Sequence, residues 1–196
     1  MISPIFVELI SLTNLSQHSD KNDYFFNKVT SLQSQHSTEK STDWLCDTFS
    51  TMRYYDLIND PEFALVLNDI KTDVIKFSKE YGVQTENINC SDAWINLASP
   101  GAYQEYHIHN GSHFSIAYYL KTPENCGNIV FRSHEANTDM FPLPADGLLP
   151  PNFKTFYYTP KTNDLLIFRS NLSHMVEKNK SKEDRVSISA NFGFAR

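Results

Sequence analysis

The sequence predicts a mainly β protein, a jelly roll preceded by helices. Eight short runs rich in β-branched and aromatic residues fill residues 88–194, with Gly, Pro, Asn or charged residues between them. Many short strands with such turns are typical of sandwiches and barrels. Residues before 88 instead show apolar residues at helical spacing. We expect one domain over 1–196, with a strand and supporting helices in 1–87 and the β core in 88–196.

Four elements are predicted in the N-terminal part. Residues 4–10, PIFVELI, have strand character, and the polar stretch that follows ends the pattern. Residues 23–35 are weakly helical, and Asp43–Leu57 show a somewhat stronger helical pattern. The clearest helix is Pro61–Tyr81, because its apolar residues recur at three- and four-residue intervals. We expect this apolar stripe to pack on the sheet.

The ends of the Pro61–Tyr81 helix carry the residues that helix ends favour. Asp60 can cap the first turn, Pro61 suits that turn, and Gly82 can end the helix.

Composition and charge limit the classes of function. A hydrophobic content of 40% with 20% charged residues is that of a globular protein. A net charge of −6 argues against a nucleic-acid partner, which needs a clustered basic surface. Three cysteines without metal-site spacing suit a reducing compartment, and no apolar stretch has membrane-spanning length. We therefore expect a cytoplasmic protein with neither membrane nor nucleic acid as partner.

Two histidines one residue apart lie before an apolar run, in YQEYHIH. In an extended segment His107 and His109 leave the same face. His174 opens a later strand, and Arg185 follows eleven residues after it with Ser187 at the i+2 position. Arg185 and Ser187 also share a face if that segment is a strand.

This order of residues suits the chemistry of a mononuclear iron oxygenase. Such a site needs three protein ligands on one side of Fe(II) and open positions opposite them for O₂ and a chelating co-substrate. The co-substrate 2-oxoglutarate carries a second carboxylate far from the metal, which a guanidinium can bind through two hydrogen bonds. The hydroxyl of Ser187 can complete that contact.

The residues over about 90–194 resemble the 2-oxoglutarate/Fe(II)-dependent oxygenase family of bacteria and phages, which is distantly similar to prolyl hydroxylases. The ordered combination carries the resemblance, since no single piece is specific. The matching residues are Trp94, Asn96, Pro100, Gly101, Tyr103, Gln104, His107, His109, Ser115, Tyr118, Tyr119, Leu120, Gly127, Phe131, Pro160, Asp164, Leu165, Phe168, Ser170, His174, Val176, Arg185, Ser187, Ser189 and Asn191.

The resemblance implies a double-stranded β-helix, cupin-like in form, with iron held by His107, His109 and His174 and with 2-oxoglutarate anchored by Arg185. The wider superfamily usually has a carboxylate where this chain has His109. Glu105, two residues before His107, is therefore an alternative third ligand. His109 would then orient a ligand instead of binding the metal.

Four further polar residues are candidates for binding 2-oxoglutarate. Ser187 lies two residues after Arg185 and shares its face. Tyr118 shares a face with Phe114 and Ile116, which favours packing in the core, although its phenol could also donate a hydrogen bond to bound 2-oxoglutarate. Asn96 and Asn191 each need a partner for a buried amide, which a co-substrate carboxylate or a backbone group would provide. Asn163 stands before an apolar strand where the family commonly has glycine, and Asn tolerates the left-handed conformation.

The function predicted is that of an Fe(II)- and 2-oxoglutarate-dependent dioxygenase that hydroxylates a small-molecule or peptide substrate and releases succinate and CO₂. The loop 133–155 is our candidate for closing over the substrate. Two alternatives stay open: a cupin-like metalloenzyme that does not use 2-oxoglutarate, and a non-catalytic jelly-roll binding protein. The helical part can either cover one face of the barrel or form a homodimer interface.

Overall fold

The computed structural model describes residues 7–36, 45–84, 86–134 and 154–194. Two antiparallel sheets form its centre, with two α-helices on one side. The helices are α1 (Asn22–Gln35), preceded by a 3₁₀ helix at Ser16–Lys21, and α2 (Pro61–Lys79). The strands are β1 (Ile10–Asn14), β2 (Phe49–Ser50), β3 (Ile88–Ala98), β4 (Gln104–His107), β5 (Phe114–Lys121), β6 (Ile129–Arg132), β7 (Thr155–Tyr158), β8 (Asp164–Arg169), β9 (Ser173–Val176) and β10 (Arg185–Phe194).

The two sheets have the arrangement of a jelly roll. The larger sheet has the strand order β1-β8-β5-β10-β3-β2, and the smaller one has the order β4-β9-β6-β7. Every pairing between these strands is antiparallel. The predicted fold class is thus confirmed, and each of the eight predicted strand runs after residue 87 contains a strand.

The larger sheet has two buried faces with different roles. Along β10, Val186, Ile188, Ala190 and Phe192 are fully buried in the cluster that includes the apolar residues of α1 and α2. The residues between them point to the opposite face, towards the smaller sheet, where they line a cavity. This two-residue alternation brings the polar residues of β10 to the interior. The cavity-lining residues of β10 are Arg185, Ser187, Ser189 and Asn191.

Helix α2 agrees closely with the prediction. The Asp60 side chain accepts hydrogen bonds from the backbone N–H groups of Glu62 and Phe63, at 2.7 and 3.2 Å, and Pro61 opens the helix. Gly82, with φ of 75°, follows the helix end. The apolar stripe packs on the larger sheet as expected.

The N-terminal strand begins later than predicted. It covers Ile10–Asn14, whereas the prediction was 4–10, of which 4–6 lie outside the described residues. The strand pairs with β8 at the edge of the larger sheet. Its polar end is accommodated because Thr13 donates to Asp73 at 3.2 Å and Asn14 donates to Asp164 at 3.0 Å. Side-chain partners therefore extend the strand into residues that look like a breaker in the sequence.

The helix predicted for Asp43–Leu57 is wrong for the described part, 45–57. The segment instead forms the short strand β2 on the edge of β3, followed by turns. Thr51 fixes this course, since its N–H donates to Ile95 O at 3.0 Å and its hydroxyl accepts from Ile95 N at 2.9 Å. These tertiary hydrogen bonds override a weak helical preference.

The predicted substrate loop, 133–155, lies almost wholly outside the described residues, which resume at 154. In the described part of the chain, neither helix is long and apolar enough to cross a membrane. Asn163 adopts the left-handed conformation predicted for it, with φ of 71°.

Candidate active site

Three histidines that are distant in sequence meet at one end of the cavity. His107 ends β4 and is the direct ladder partner of His174 in β9, and His109 follows two residues after His107. One ring nitrogen of each lies within 4.8 Å of the other two. The ring centroid of His174 lies 4.2 Å from that of His107 and 5.2 Å from that of His109. The three histidines predicted from the sequence are therefore brought together.

Hydrogen bonds at Nδ1 fix the tautomer of each ring. The Nδ1 of His107 lies 2.8 Å from the carbonyl oxygen of Glu105, and that of His174 lies 2.9 Å from the carbonyl oxygen of Leu172. The Nδ1 of His109 lies 2.5 Å from Asn191 Oδ1. A carbonyl oxygen only accepts, so each Nδ1 carries the proton. In this tautomer Nε2 carries the lone pair through which an imidazole binds a metal ion.

Burial keeps the three imidazoles in the form that binds metals. It lowers the pKa of His107 and His109, and it lowers the pKa of His174, which is the most buried, well below its usual value. A protonated His107 would repel a positive charge on His174, and this repulsion lowers the pKa of His174 further. Neutral rings result, as metal coordination requires.

Glu105, the alternative ligand, is not part of the histidine cluster. Its Oε1 accepts a hydrogen bond from the backbone N–H of Leu45 at 2.8 Å. The reason lies in β4: the pairs Gln104 with Val176 and His107 with His174 place one extra residue in β4, a β-bulge. The bulge breaks the two-residue alternation, so Glu105 and His107 need not share a face.

Arg185 lies in the same cavity as the histidines and is 4% exposed. Its Nη1 donates to the carbonyl oxygen of Cys126 at 2.8 Å. Among the described residues, no carboxylate lies within 4.0 Å of its guanidinium. Burial lowers the pKa of Arg185. A buried guanidinium without an acidic partner is costly to fold and suits the binding of an anion.

The cavity has a volume of about 370 Å³ and joins the histidines to Arg185. No Asp or Glu is among the described residues that line it. Apolar side chains of the two sheets form much of its wall. They include Ala117, Ile129, Phe168 and Val176.

Of the two interpretations of Tyr118, the structure agrees with packing in the core, since the residue lies on the helix-facing side of β5. It is fully buried in the cluster that packs on the helices, and its hydroxyl lies 3.5 Å from Asn163 Oδ1. Tyr119 lines the cavity instead and is close enough to Arg185 for their charges to interact. Tyr118 does share a face with Phe114 and Ile116, as the alternation predicts, but that face packs on the helices.

The other predicted co-substrate residues all line the cavity, although some already have partners. Ser187 lies between Arg185 and Ser189 along the inner face of β10. Asn96 donates to Ser189 Oγ at 3.0 Å and accepts from Trp94 Nε1 at 3.1 Å. The Oδ1 of Asn191 accepts from His109 Nδ1, so a co-substrate carboxylate could bind only to its Nδ2.

One wall of the cavity was missed by the sequence analysis. It is formed by residues 46–54, and Phe49 and Tyr54 stack there with ring planes 3° apart. The mistaken helix prediction concealed this wall, since the segment reaches the cavity by pairing β2 with β3. The residues of this segment that line the cavity are Cys46, Thr48, Phe49, Ser50, Met52, Arg53 and Tyr54.

The donor set fits a divalent transition metal with open coordination positions. Three neutral imidazoles suit Fe(II) and leave the metal charge uncompensated by the protein. A dianionic chelator can neutralise that charge, and Arg185 offers a second positive group in the same cavity.

Comparison with known families identifies one match in sequence. The model of the family described as "Putative 2OG-Fe(II) oxygenase" matches residues 92–191, just over half of the chain. The matched region begins in β3 and ends in β10, so it includes the three histidines and Arg185. The comparison with curated protein sequences gives no significant match.

Solved structures share the fold at low identity. A Pseudomonas putida prolyl-4-hydroxylase has a TM-score of 0.66 at 14% identity, covering 96% of this chain and 94% of its own. A viral collagen prolyl hydroxylase from Paramecium Bursaria Chlorella virus-1, in complex with 2-oxoglutarate, has a TM-score of 0.60 at 11% identity. The match covers 95% of this chain and 96% of the hydroxylase. HygX from Streptomyces hygroscopicus, with nickel and 2-oxoglutarate bound, has a TM-score of 0.60 at 13% identity. The match covers 96% of this chain and 84% of HygX.

Proposed function

Because this chain belongs to the 2OG-Fe(II) oxygenase family, whose model matches residues 92–191, we propose that it hydroxylates a small-molecule or peptide substrate. It is an oxidoreductase that uses Fe(II), 2-oxoglutarate and O₂. In our proposal His107, His109 and His174 bind the iron through Nε2, and Arg185 binds the distal carboxylate of 2-oxoglutarate.

The placement of a three-histidine cluster and a buried arginine in one cavity is the observation that carries this proposal. The histidines alone would suit many metal-dependent reactions. Arg185 favours a co-substrate with a second anionic group that can bind its guanidinium. That guanidinium is buried, and no carboxylate of the described residues lies within 4.0 Å of it.

When bound, iron and 2-oxoglutarate would supply the oxidation: one oxygen atom of O₂ enters the substrate C–H bond as a hydroxyl group, and the other enters the succinate that forms as 2-oxoglutarate loses CO₂. The chain contributes orientation and exclusion of water. Arg185 would hold the distal carboxylate with charge-assisted hydrogen bonds, and Tyr119 and Ser187 line the same cavity. The apolar wall, including Ile129 and Phe168, keeps bulk water from the reacting groups.

An anaerobic titration of the metal-free protein tests the proposal. Fe(II) is added first and 2-oxoglutarate second, while the visible absorption band of the chelated keto acid is recorded. We expect the band in wild type, its loss in His174→Ala, and a need for far more 2-oxoglutarate in Arg185→Ala. Arg169→Ala is the matched control, because that guanidinium lies over the rings of Tyr81 and Phe114.

Other outcomes would contradict the proposal in different ways. Metal binding without the band would favour a cupin-like metalloenzyme that does not use 2-oxoglutarate. Absence of metal binding would favour a non-catalytic jelly roll. An equal loss in Arg185→Ala and Arg169→Ala would show that the effect of Arg185 is one of general stability.

A further inference from the structure

A row of three buried polar side chains crosses the larger sheet beside His109. Asn191 on β10 is the ladder partner of Ser115 on β5, and Ser170 follows β8 on the other side of β5. The two serines are fully buried and Asn191 is 8% exposed. Buried polar groups at neighbouring strands are costly unless they form a complete network.

The hydrogen bonds of this row meet at Asn191 Oδ1 and His109 Nδ1. Ser115 Oγ lies 2.8 Å from Asn191 Oδ1 and 2.8 Å from Ser170 Oγ. The amide oxygen of Asn191 only accepts, so the Ser115 hydroxyl can donate to it while accepting from Ser170. Ser115 Oγ also lies 3.1 Å from His109 Nδ1 and can share the proton of that ring. His109 Nδ1, 2.5 Å from the same Asn191 oxygen, must also donate. The row therefore links Ser170 through Ser115 to Asn191. Asn191 Oδ1 accepts the hydrogen bond from His109 Nδ1–H.

His109 differs in this respect from the other two histidines. The Nδ1 groups of His107 and His174 face backbone carbonyl oxygens, whose positions follow from the strands themselves. The nearest acceptor for His109 is the Asn191 side chain on β10, and the Ser115 hydroxyl on β5 lies 3.1 Å from the same nitrogen. Its backbone N–H also donates to the carbonyl oxygen of Ser170, at 2.8 Å, so the same row holds the main chain and the ring.

We propose that Asn191, supported by Ser115 and Ser170, is the positioning residue that sets the tautomer and orientation of His109 for metal binding. The inference rests on the proposed function, because it assigns His109 as the third ligand. A ring with the proton on Nε2 would present an N–H group to the metal and could not bind it. The uncharged amide also fixes the ring without adding the negative charge that a carboxylate partner would bring.

Three variants and two measurements test this inference. Asn191→Leu removes the acceptor at similar volume, and Asn191→Asp keeps an oxygen acceptor at the same place. Ser189→Ala is the matched control, because Ser189 lies two residues away on the same face of β10 and its partner is Asn96. The tautomer of His109 is observed by nitrogen–proton correlation NMR of the metal-free protein labelled at histidine. The affinity for Fe(II) is measured anaerobically by competition with a chelator.

We expect the Nδ1–H tautomer of His109 in wild type, Asn191→Asp and Ser189→Ala, and a mixture with Nε2–H in Asn191→Leu. The Fe(II) affinity of Asn191→Leu should fall about 10- to 100-fold, as is typical when an outer partner of a metal ligand is lost. Asn191→Asp should restore most of that affinity, and Ser189→Ala should keep it.

The inference is overturned if Asn191→Leu keeps both the wild-type tautomer and the wild-type Fe(II) affinity, or if wild-type His109 carries its proton on Nε2. An equal loss of affinity in Ser189→Ala would also overturn it, since the effect would then be general to β10. Failure of the proposed function is distinguished from these results. It would appear as absence of Fe(II) or 2-oxoglutarate binding in wild type, and the NMR measurement needs neither.

Discussion

His107 and His174 are direct partners in the ladder between β4 and β9, and their ring centroids lie 4.2 Å apart. The pairing of two backbone strands therefore places two of the three proposed ligands before any metal binds. The third position depends on the residues that follow β4. Glu105, which lies in the bulge of β4, accepts from the backbone N–H of Leu45, and His109 completes the cluster.

The first prediction separates His109 from Glu105 as the third ligand. His109→Ala should weaken Fe(II) binding by more than the 10- to 100-fold that loss of an outer partner costs, about two orders of magnitude or more. Glu105→Gln should leave the affinity close to that of wild type, since the new amide oxygen can still accept from the Leu45 N–H. Both affinities are measured by anaerobic chelator competition. The reverse order of effects would assign Glu105 as the ligand.

The second prediction concerns the cost of burying Arg185. Arg185→Met should raise the free energy of unfolding of the metal-free protein, because an apolar side chain of similar length replaces a buried charge without a carboxylate partner among the described residues. The carbonyl oxygen of Cys126 loses its donor, which offsets part of the gain. We expect a net gain of about 1 kcal/mol, or roughly 2–4 °C in Tm.

The same variant should lose its response to 2-oxoglutarate. Loss of hydrogen bonds to a charged group costs about 1.5–3 kcal/mol, which is about 10- to 150-fold in affinity. Thermal unfolding with and without 2-oxoglutarate, in the presence of Fe(II) and absence of O₂, measures both effects. A Tm below that of wild type without ligands would contradict the expected gain in stability. An increase in Tm with 2-oxoglutarate as large as that of wild type would contradict the expected loss of affinity.

The third prediction uses two neighbouring tyrosines as a matched pair. Tyr119→Phe should raise the KM for 2-oxoglutarate about tenfold, because the phenol faces the cavity beside Arg185 and one hydrogen bond to a charged group is lost. Tyr118→Phe should leave KM unchanged, since its hydroxyl lies on the helix-facing side of β5. Succinate formation at varied 2-oxoglutarate measures both. An effect of Tyr118→Phe equal to that of Tyr119→Phe would place the co-substrate elsewhere.

Much of the site follows from patterns that a sequence records directly. The i, i+2 spacing of His107 and His109 and the alternation along β10 from Arg185 are properties of extended chains. The two-residue period also predicted that Tyr118 shares a face with Phe114. It does not specify which face of a sheet meets the helices, since both faces of the larger sheet are buried. For that reason Tyr118 stayed among the candidates for binding 2-oxoglutarate, whereas Tyr119 lines the cavity.

The remaining errors come from contacts between distant segments. The bulge that turns Glu105 away arises from the pairing of β4 with β9 and leaves no local trace in the sequence. Residues 45–57 look weakly helical, but Thr51 is held by two hydrogen bonds to Ile95. The bond from His109 to Asn191 likewise joins segments that are far apart in the chain. Each feature depends on a partner strand rather than on local propensity.

The last prediction concerns the joint between the helices, at Asp60. This side chain is buried, caps α2, and accepts hydrogen bonds from the hydroxyls of Tyr24, at 2.8 Å, and Tyr55. The bond to Asp60, together with burial, raises the pKa of Tyr24 to about 12. Asp60→Ala removes the cap and leaves two phenols without their acceptor, so we expect a loss of about 2–4 kcal/mol in the free energy of unfolding.

Urea unfolding followed by circular dichroism measures this loss against two controls. Asp56→Ala changes an exposed carboxylate that accepts only from Asn59 among the described residues, and it should alter the free energy of unfolding by less than about 0.5 kcal/mol. Asp60→Asn keeps an oxygen that can cap the helix and should lose less than Asp60→Ala. If Asp60→Ala is no more destabilising than Asp56→Ala, the hydrogen bonds at Asp60 do not hold α1, α2 and the segment of Tyr55 together.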